Sequence, residues 1–335
     1  MSLPGPDAPQ RILLIRLTAL GDVVLATPLL HALRAAFPEA GIDWLVHEAF
    51  APLLMSEPGL KVIPWKSGDR GLAGQLRSAR YDWVIDLQNK PKTALLRARL
   101  GAGWVVVLRK RTVAQSIASL VGLERPQRGP HAVDACLSVV ERLGVAAVDR
   151  QPRIHLSDAG RAEVAGLLAR RRSKILWGLA PATRWATKRW PPARFSELAA
   201  SAAAAGADIL LLGGPADRAA LDEVGRTLGP ALIGDTVGCS VAGLAAAIAA
   251  CNLVVSNDSG PAHLAAALGR PLVVLFGPTS PTRWAPTGAA VRVLYENLSC
   301  SPCSNHGSDR CPIGTHACLE AIPTARVLET ARGLL

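Results

Sequence analysis

The chain has 335 residues, half of them hydrophobic, with 37 Lys+Arg against 26 Asp+Glu and a formal charge of +11. That apolar content excludes a disordered chain, and the length suits about two domains of ordinary size. Seven cysteines form a sparse, odd set, and the Pro-rich opening has no apolar h-region, so a secreted disulfide scaffold is excluded and the cytosol is the expected location.

In chain order, short β-like runs alternate with Ala/Leu-rich helical runs. Arg11–Leu17 predicts a strand and Asp22–Phe37 a helix. Ile42–His47, Tyr81–Leu87 and Trp104–Leu108 predict further strands, with helices at Ala73–Arg80, Thr93–Leu100 and Ala132–Leu143. The second half repeats the rhythm. Strands are predicted at Ile175–Leu179, Asp208–Leu212, Leu253–Ser256 and Leu272–Phe276, and helices at Ala193–Ala205, Ala216–Leu228, Val241–Ala250 and Pro261–Leu268. Such alternation predicts parallel sheets covered on both faces, as in two Rossmann-like domains. The longest uncharged stretch, Thr236–Ser256, is broken by Gly238, Ser240, Gly243 and Asn252 and reads as helix then strand, not a membrane span. The break between domains falls near Val148–Ser157, and a ligand is expected at the carboxyl ends of the strands.

Charge is uneven. Residues 1–172 hold 24 Lys+Arg and 15 Asp+Glu, a surplus of nine, while residues 173–335 hold 13 and 11. The first half is therefore expected to meet an anionic partner. Nucleic acid is the weakest candidate, because the basic residues are not interleaved with aromatics.

Five segments could carry chemistry. Thr18-Ala19-Leu20-Gly21-Asp22 follows the first strand and opens a helix. Asp22 is there either a cap or a general base, and Gly21 suits a close backbone approach. Ser256-Asn257-Asp258-Ser259-Gly260-Pro261-Ala262-His263 repeats the strand-to-helix step. Ser259 and Gly260 suit a phosphate, Asp258 suits sugar hydroxyls, and His263 lies one turn in. Capping by Asp258 or Ser259 is the plainer alternative. Thr183 to Pro191 sets three cations, Arg184, Lys188 and Arg189, after a strand, which suits an anion. Gly213–Arg218 is a turn. Cys300, Cys303, Cys311 and Cys318 crowd into 19 residues, a spacing open to a structural zinc or iron clip and equally to a reduced, metal-free cluster. Cys136, Cys239 and Cys251 read as small core residues.

Together the segments RILLIRLTALGDVVLATPLL, YDWVIDLQNKPKTALLRARLGA, HAVDACLSVVERLGV, KRWPPARFSELA and VVSNDSGPAHLAAALGRPLVVLFGPTSPTRW resemble the ADP-heptose:lipopolysaccharide heptosyltransferase family, glycosyltransferase family 9. The CPIGTHACLEAI tail is similar to its heptosyltransferase II-like branch. The resemblance implies a GT-B fold, an α/β pair of Rossmann-like domains facing a cleft. Residues 1–155 would form the acceptor domain and 156–322 the nucleotide-sugar domain, with a helix in 323–335 packing back on the first domain.

It further implies inverting transfer of heptose from ADP-heptose to the lipopolysaccharide inner core, with no metal or other cofactor at the chemical step. Asp22 matches the family's base and Lys188 its donor-phosphate contact. Thr18, Gly21, Thr183, Cys239, Asp258, Ser259, Gly260 and His263 fall in the donor site. Lys90, Lys92, Arg109, Lys110 and Arg111 are the acceptor-side cations expected from the charge surplus. Related autotransporter heptosyltransferases hold iron on four cysteines at a different spacing. The expected location is the inner face of the inner membrane, peripheral on its anionic surface. Two other readings stay open: a non-catalytic nucleotide-sugar-binding protein, and a family-9 transferase using another acceptor. A nucleotide-sugar 2-epimerase shares the architecture without the paired motifs.

Overall fold

The computed structural model describes residues 8–69, 71–108, 129–146 and 149–335. Contacts divide the chain into two units, one ending at His155 and one running Leu156–Leu335.

The first unit is built on β1 (Arg11–Ile15), β2 (Gly41–His47), β3 (Leu60–Trp65), β4 (Trp83–Asp86) and β5 (Trp104–Val107). All pair in parallel, in the order β3-β2-β1-β4-β5. Strand β1 is central and its Ile12, Leu13, Leu14 and Ile15 have no exposure. A strand covered on both faces has no reason to alternate, which is why it reads as an unbroken apolar run. Among its described residues the helices are α1 (Leu20–Leu25), α2 (Thr27–Ala36), α3 (Ala51–Leu54), α4 (Leu72–Ser78), α5 (Pro91–Leu100) and α6 (Ala132–Glu141).

The single helix expected over Asp22–Phe37 is two helices. Pro28 has no N–H for the carbonyl of Val24, so the ladder breaks there. The Thr27 hydroxyl donates to that carbonyl instead, at 2.9 Å.

The second unit holds β6 (Leu176–Ala180), β7 (Asp208–Leu211), β8 (Leu232–Asp235), β9 (Leu253–Asn257), β10 (Leu272–Phe276) and β11 (Val291–Tyr295). They form a six-stranded parallel sheet ordered β11-β10-β9-β6-β7-β8. Its helices are α7 (Asp158–Leu168), α8 (Pro192–Ala204), α9 (Arg218–Gly225), α10 (Val241–Ala250), α11 (Gly260–Ala267), α12 (Pro281–Trp284), α13 (Ala317–Glu320) and α14 (Thr324–Arg332). Helix α7 opens where the interdomain break was expected to end. Ser157 caps it, its hydroxyl accepting from the Gly160 amide at 3.0 Å.

The C-terminal helix α14 packs on α8 and β10 of the second unit. Val327 and Ala331, one turn apart on its apolar face, are fully buried among Leu198, Ala202 and Leu319. A helix with two apolar anchors at i and i+4 settles where a complementary apolar face is already formed.

Each sheet reverses its strand order once at the centre, β1 against β4 and β6 against β9. Loops leaving the carboxyl ends of those strands diverge to opposite sides and open a crevice, the usual ligand position in doubly wound sheets.

Candidate active site

The second unit's crevice gathers segments that are far apart in sequence. The loop after β6 carries Lys188 in a tight turn, Ala186–Lys188. Its ammonium lies 2.7 Å from Asp258 Oδ2, in the loop after β9. Asp258 is buried, and Thr279, in the loop after β10, donates its hydroxyl to the same oxygen at 2.6 Å. Asn257 staples the two central loops together. Its Oδ1 accepts from the Trp190 amide at 3.0 Å and its Nδ2 donates to the Pro181 carbonyl at 2.7 Å.

Capping explains neither acidic nor hydroxyl residue of the β9 loop. Ser259 is the cap residue of α11, yet its side chain makes no capping bond, and its hydroxyl lies 3.2 Å from that of Ser256. Asp258 is committed to Lys188 and Thr279. Pro261 has no N–H and the Ala262 amide donates to the Ser259 carbonyl at 3.2 Å, so in the first turn of α11 it is the Gly260 amide, beside Lys188, that no cap side chain takes. Gly260 is the first residue of α11 and Gly21 the second of α1, and neither has a positive φ. Neither position therefore takes a conformation that requires glycine. His263 is buried one turn into α11.

The three cations of the β6 loop have separate tasks. Lys188 alone of them pairs with Asp258. Arg189 donates twice to the Thr183 carbonyl, at 3.0 and 2.8 Å, and Arg184 lies over the Trp185 ring, 5.2 Å from its centre, at the surface. Thr183 is buried and its hydroxyl donates to the Trp185 carbonyl at 2.7 Å, so it shapes the loop. Cys239 stands apart, after the edge strand β8 and before α10. It is half-buried, and burial together with the Glu163 and Asp235 carboxylates pushes its thiol up.

In the first unit the β1 loop is held from β4. Gln88 Oε1 accepts from the Leu17 and Thr18 amides at 3.1 and 3.2 Å, and its Nε2 donates to the Thr18 hydroxyl at 3.4 Å. Asp22 is half-buried. One carboxylate oxygen accepts from the Ala19 amide at 3.2 Å and the other pairs with Arg16. Arg16 is itself buried and donates to the Leu87 carbonyl. So Asp22 does cap, as the plainer reading had it, and it is also fixed by a buried cation. Sequence reading missed Arg16 and Gln88. The available signal was a charged residue directly following an apolar strand.

Lys90 and Lys92 are exposed at the start of α5, and the Lys92 ammonium lies 5.6 Å from the Trp65 ring centre. Arg109, Lys110 and Arg111 lie outside the described residues.

The cysteine segment folds against the end of β10. The Cys303 and Ser304 amides both donate to the Pro278 carbonyl at 2.9 Å, and Cys318 packs at Gly277. Among the described residues no three His, Cys, Asp or Glu side chains gather as a metal ion requires. The four cysteines are thus not gathered into a ligand set in this structure. Cys318 is turned into the core, where burial pushes its thiol up to about 11, while Cys303 is exposed. The thiol of Cys311 is lowered by backbone N–H groups, His316 first.

These features define a glycosyltransferase of the two-Rossmann type. Residues 70–312 match glycosyltransferase family 9 (heptosyltransferase), and the chain belongs to that family. It is 30% identical to lipopolysaccharide heptosyltransferase 1 of Pseudomonas aeruginosa, over 88% of this chain and 86% of that one. It is 28% identical to lipopolysaccharide heptosyltransferase 2 of Escherichia coli K12, over 97% and 99%. Among solved structures, a family 9 glycosyltransferase from Veillonella parvula superposes with a TM-score of 0.80 at 26% identity, covering 97% of each chain. The E. coli ADP-heptose lipopolysaccharide heptosyltransferase II gives 0.78 at 27%, covering 97% of this chain and 98% of that one. The expected α/β GT-B class is therefore the fold.

Proposed function

We propose that this protein is an inverting heptosyltransferase that moves heptose from ADP-heptose to a Kdo- or heptose-terminated lipid A acceptor of the lipopolysaccharide inner core. The observation that carries the reading is the Lys188–Asp258 pair, 2.7 Å apart, beside the helix end of Ser259 and Gly260. A diphosphate is held by a fixed cation and by N–H and O–H donors, and this arrangement offers Lys188, the Gly260 amide and the Ser259 hydroxyl.

In this reading the second unit holds the donor. Its diphosphate takes the Lys188 ammonium and the Gly260 amide at the start of α11, and Asp258 aligns Lys188 and receives sugar hydroxyls. The first unit holds the acceptor, with Lys90 and Lys92 meeting its anionic groups. Asp22 removes the proton of the attacking hydroxyl. The oxygen forms its bond to the anomeric carbon as the bond to ADP breaks, the electron pair leaves on the diphosphate, and the centre inverts. Charge grows on the diphosphate during that step, so Lys188 and the Gly260 amide stabilise the transition state more than the ground state. No metal is needed for that charge. Among the described residues no helix is long and apolar enough to cross a membrane. Reaching a lipid-anchored acceptor then calls for peripheral docking on an anionic leaflet from the cytoplasmic side.

The test is to incubate the purified protein with ADP-heptose and a panel of truncated core acceptors and to follow mass gain. One added heptose on one acceptor, with release of ADP, is the expected result. Donor binding with no transfer to any acceptor would make it a binding protein. Conversion of the nucleotide sugar without acceptor would make it an epimerase.

A further inference from the structure

We propose that Thr187, with Gly307 and Ser308, is the positioning device for Lys188, and that this is what the cysteine-rich segment contributes to the transfer. The inference rests on Lys188 being the donor-phosphate cation.

Thr187 precedes Lys188 in the tight turn and is buried. Its hydroxyl accepts from the Ser308 amide at 2.8 Å and donates to the Ser308 carbonyl at 2.8 Å. The Thr187 amide donates to the same carbonyl at 3.1 Å. Three bonds thus lock the Lys188 turn onto one residue of the cysteine segment. Gly307, next to it, has φ +93°, a conformation that favours glycine. A methyl group there would lie 2.8 Å from Trp185 Cβ and 2.9 Å from both Cγ and Cδ of Lys188. The bare backbone of Gly307 therefore lies against the aliphatic stem of Lys188, on a side chain that ends at Asp258.

The same segment reaches the other half of the ion pair. Ser304 Oγ accepts from the Gly307 amide at 2.9 Å. The Ser304 and Cys303 amides both bind the Pro278 carbonyl, and the next residue, Thr279, holds Asp258 at 2.6 Å. Lys188 and Asp258 are thereby braced from one loop, through Thr187–Ser308 on one side and Pro278–Thr279 on the other. A lysine has a flexible four-carbon stem, and a cation aimed in advance at a developing charge needs no reorganisation during the reaction. The segment fixes that aim mechanically.

The test is a double-mutant cycle on the full-length protein. It reads ADP affinity by titration calorimetry and donor kcat and KM in the transfer assay. Thr187→Val keeps the shape and removes the hydroxyl. We expect it to lose about tenfold to hundredfold in kcat/KM for the donor, the range of a small misplacement of a reacting group, and to bind ADP more weakly. Thr187→Ser, which keeps the hydroxyl, restores most of both. In a Lys188→Ala background Thr187→Val costs nothing further, because its effect passes through Lys188.

Equal losses in the two backgrounds would overturn the inference, since they mark a general structural role. Wild-type kinetics in Thr187→Val would also overturn it while leaving Lys188 as the phosphate ligand. Unchanged ADP affinity and kinetics in Lys188→Ala would remove the donor reading itself, and the inference with it. If Thr187→Val does not fold, Gly307→Ala enters the same cycle. Its methyl meets the Lys188 stem but also Trp185 Cβ, at a positive φ, so part of its cost remains in any background; the kinetic cost must shrink once the stem is gone, and a cost undiminished in the Lys188→Ala background overturns the proposal.

Discussion

Asp22 is held before any substrate arrives, by the Ala19 amide and the buried Arg16 among its contacts. The two fix its carboxylate, as a base that must meet one particular hydroxyl requires. Asp22→Asn keeps an oxygen for the Ala19 amide and removes the basic group. Turnover is expected to fall about 10²–10⁴-fold, the usual share of positioned proton transfer, with ADP affinity unchanged by calorimetry. A variant with near-normal turnover would remove Asp22 as the base. At this scale the sequence showed which residues bear chemistry and not what each one touches. Asp22, Lys188 and Asp258 stood out as charged residues at strand ends. Thr187 did not, because its partner Ser308 is set beside it only by the folding of two distant loops.

The elements follow their neighbours as much as their own residues. The central strands were legible because burial on both faces demands a continuous apolar run. Strands β3, β8 and β11 were not foreseen, and all three are sheet edges. Pro64 and Lys61 sit in β3, and most residues of β11 are partly or well exposed. An edge strand tolerates a proline and polar residues because one side of its backbone has no partner. Packing of the central strands gives a further prediction. A Cβ at Gly178 in β6 would lie 2.8 Å from both Cys251 Sγ and Leu212 Cδ1. Gly178→Ala is therefore expected to cost about 1–3 kcal/mol, the range for overpacking a filled core, measured as a lower urea midpoint. A midpoint equal to wild type would show that the core yields at no cost.

For the whole molecule, several buried acids hold their protons beyond the ordinary range. Burial pushes the Cys251 thiol up to about 12 and the Cys318 thiol up to about 11, from 9.0. Burial, with the hydrogen bond to Asp43, also raises the Tyr81 phenol. Between these values the unfolded chain releases protons that the folded chain keeps. Stability is complete below pH 9.0 and is lost as pH rises toward 11 and 12. Urea midpoints taken below and above pH 9.0 should fall on the alkaline side, and less steeply in Cys251→Ala. An unchanged slope in that variant would take Cys251 out of the account. The surplus of positive charge in residues 1–172 makes a separate prediction. Co-sedimentation with anionic vesicles is expected to fall with added salt, because exposed charges are screened. Retention in high salt would argue against electrostatic docking.

The amino-acid sequence by itself determined the strand–helix alternation, the two-part organisation and the motif-bearing ends of β1 and β9. Each of those depends on local burial pattern and on which residue types stand beside a helix start. Tertiary structure alone decided the Lys188–Asp258 pair, the hold of Arg16 on Asp22, the packing of the terminal helix on the second unit and the attachment of the cysteine segment to the Lys188 turn. Arg16 and Asp22 meet through the conformation of the loop between β1 and α1; the other contacts join residues brought near by the order of strands and loops in the folded sheet, which leaves no mark in the spacing of residues along the chain.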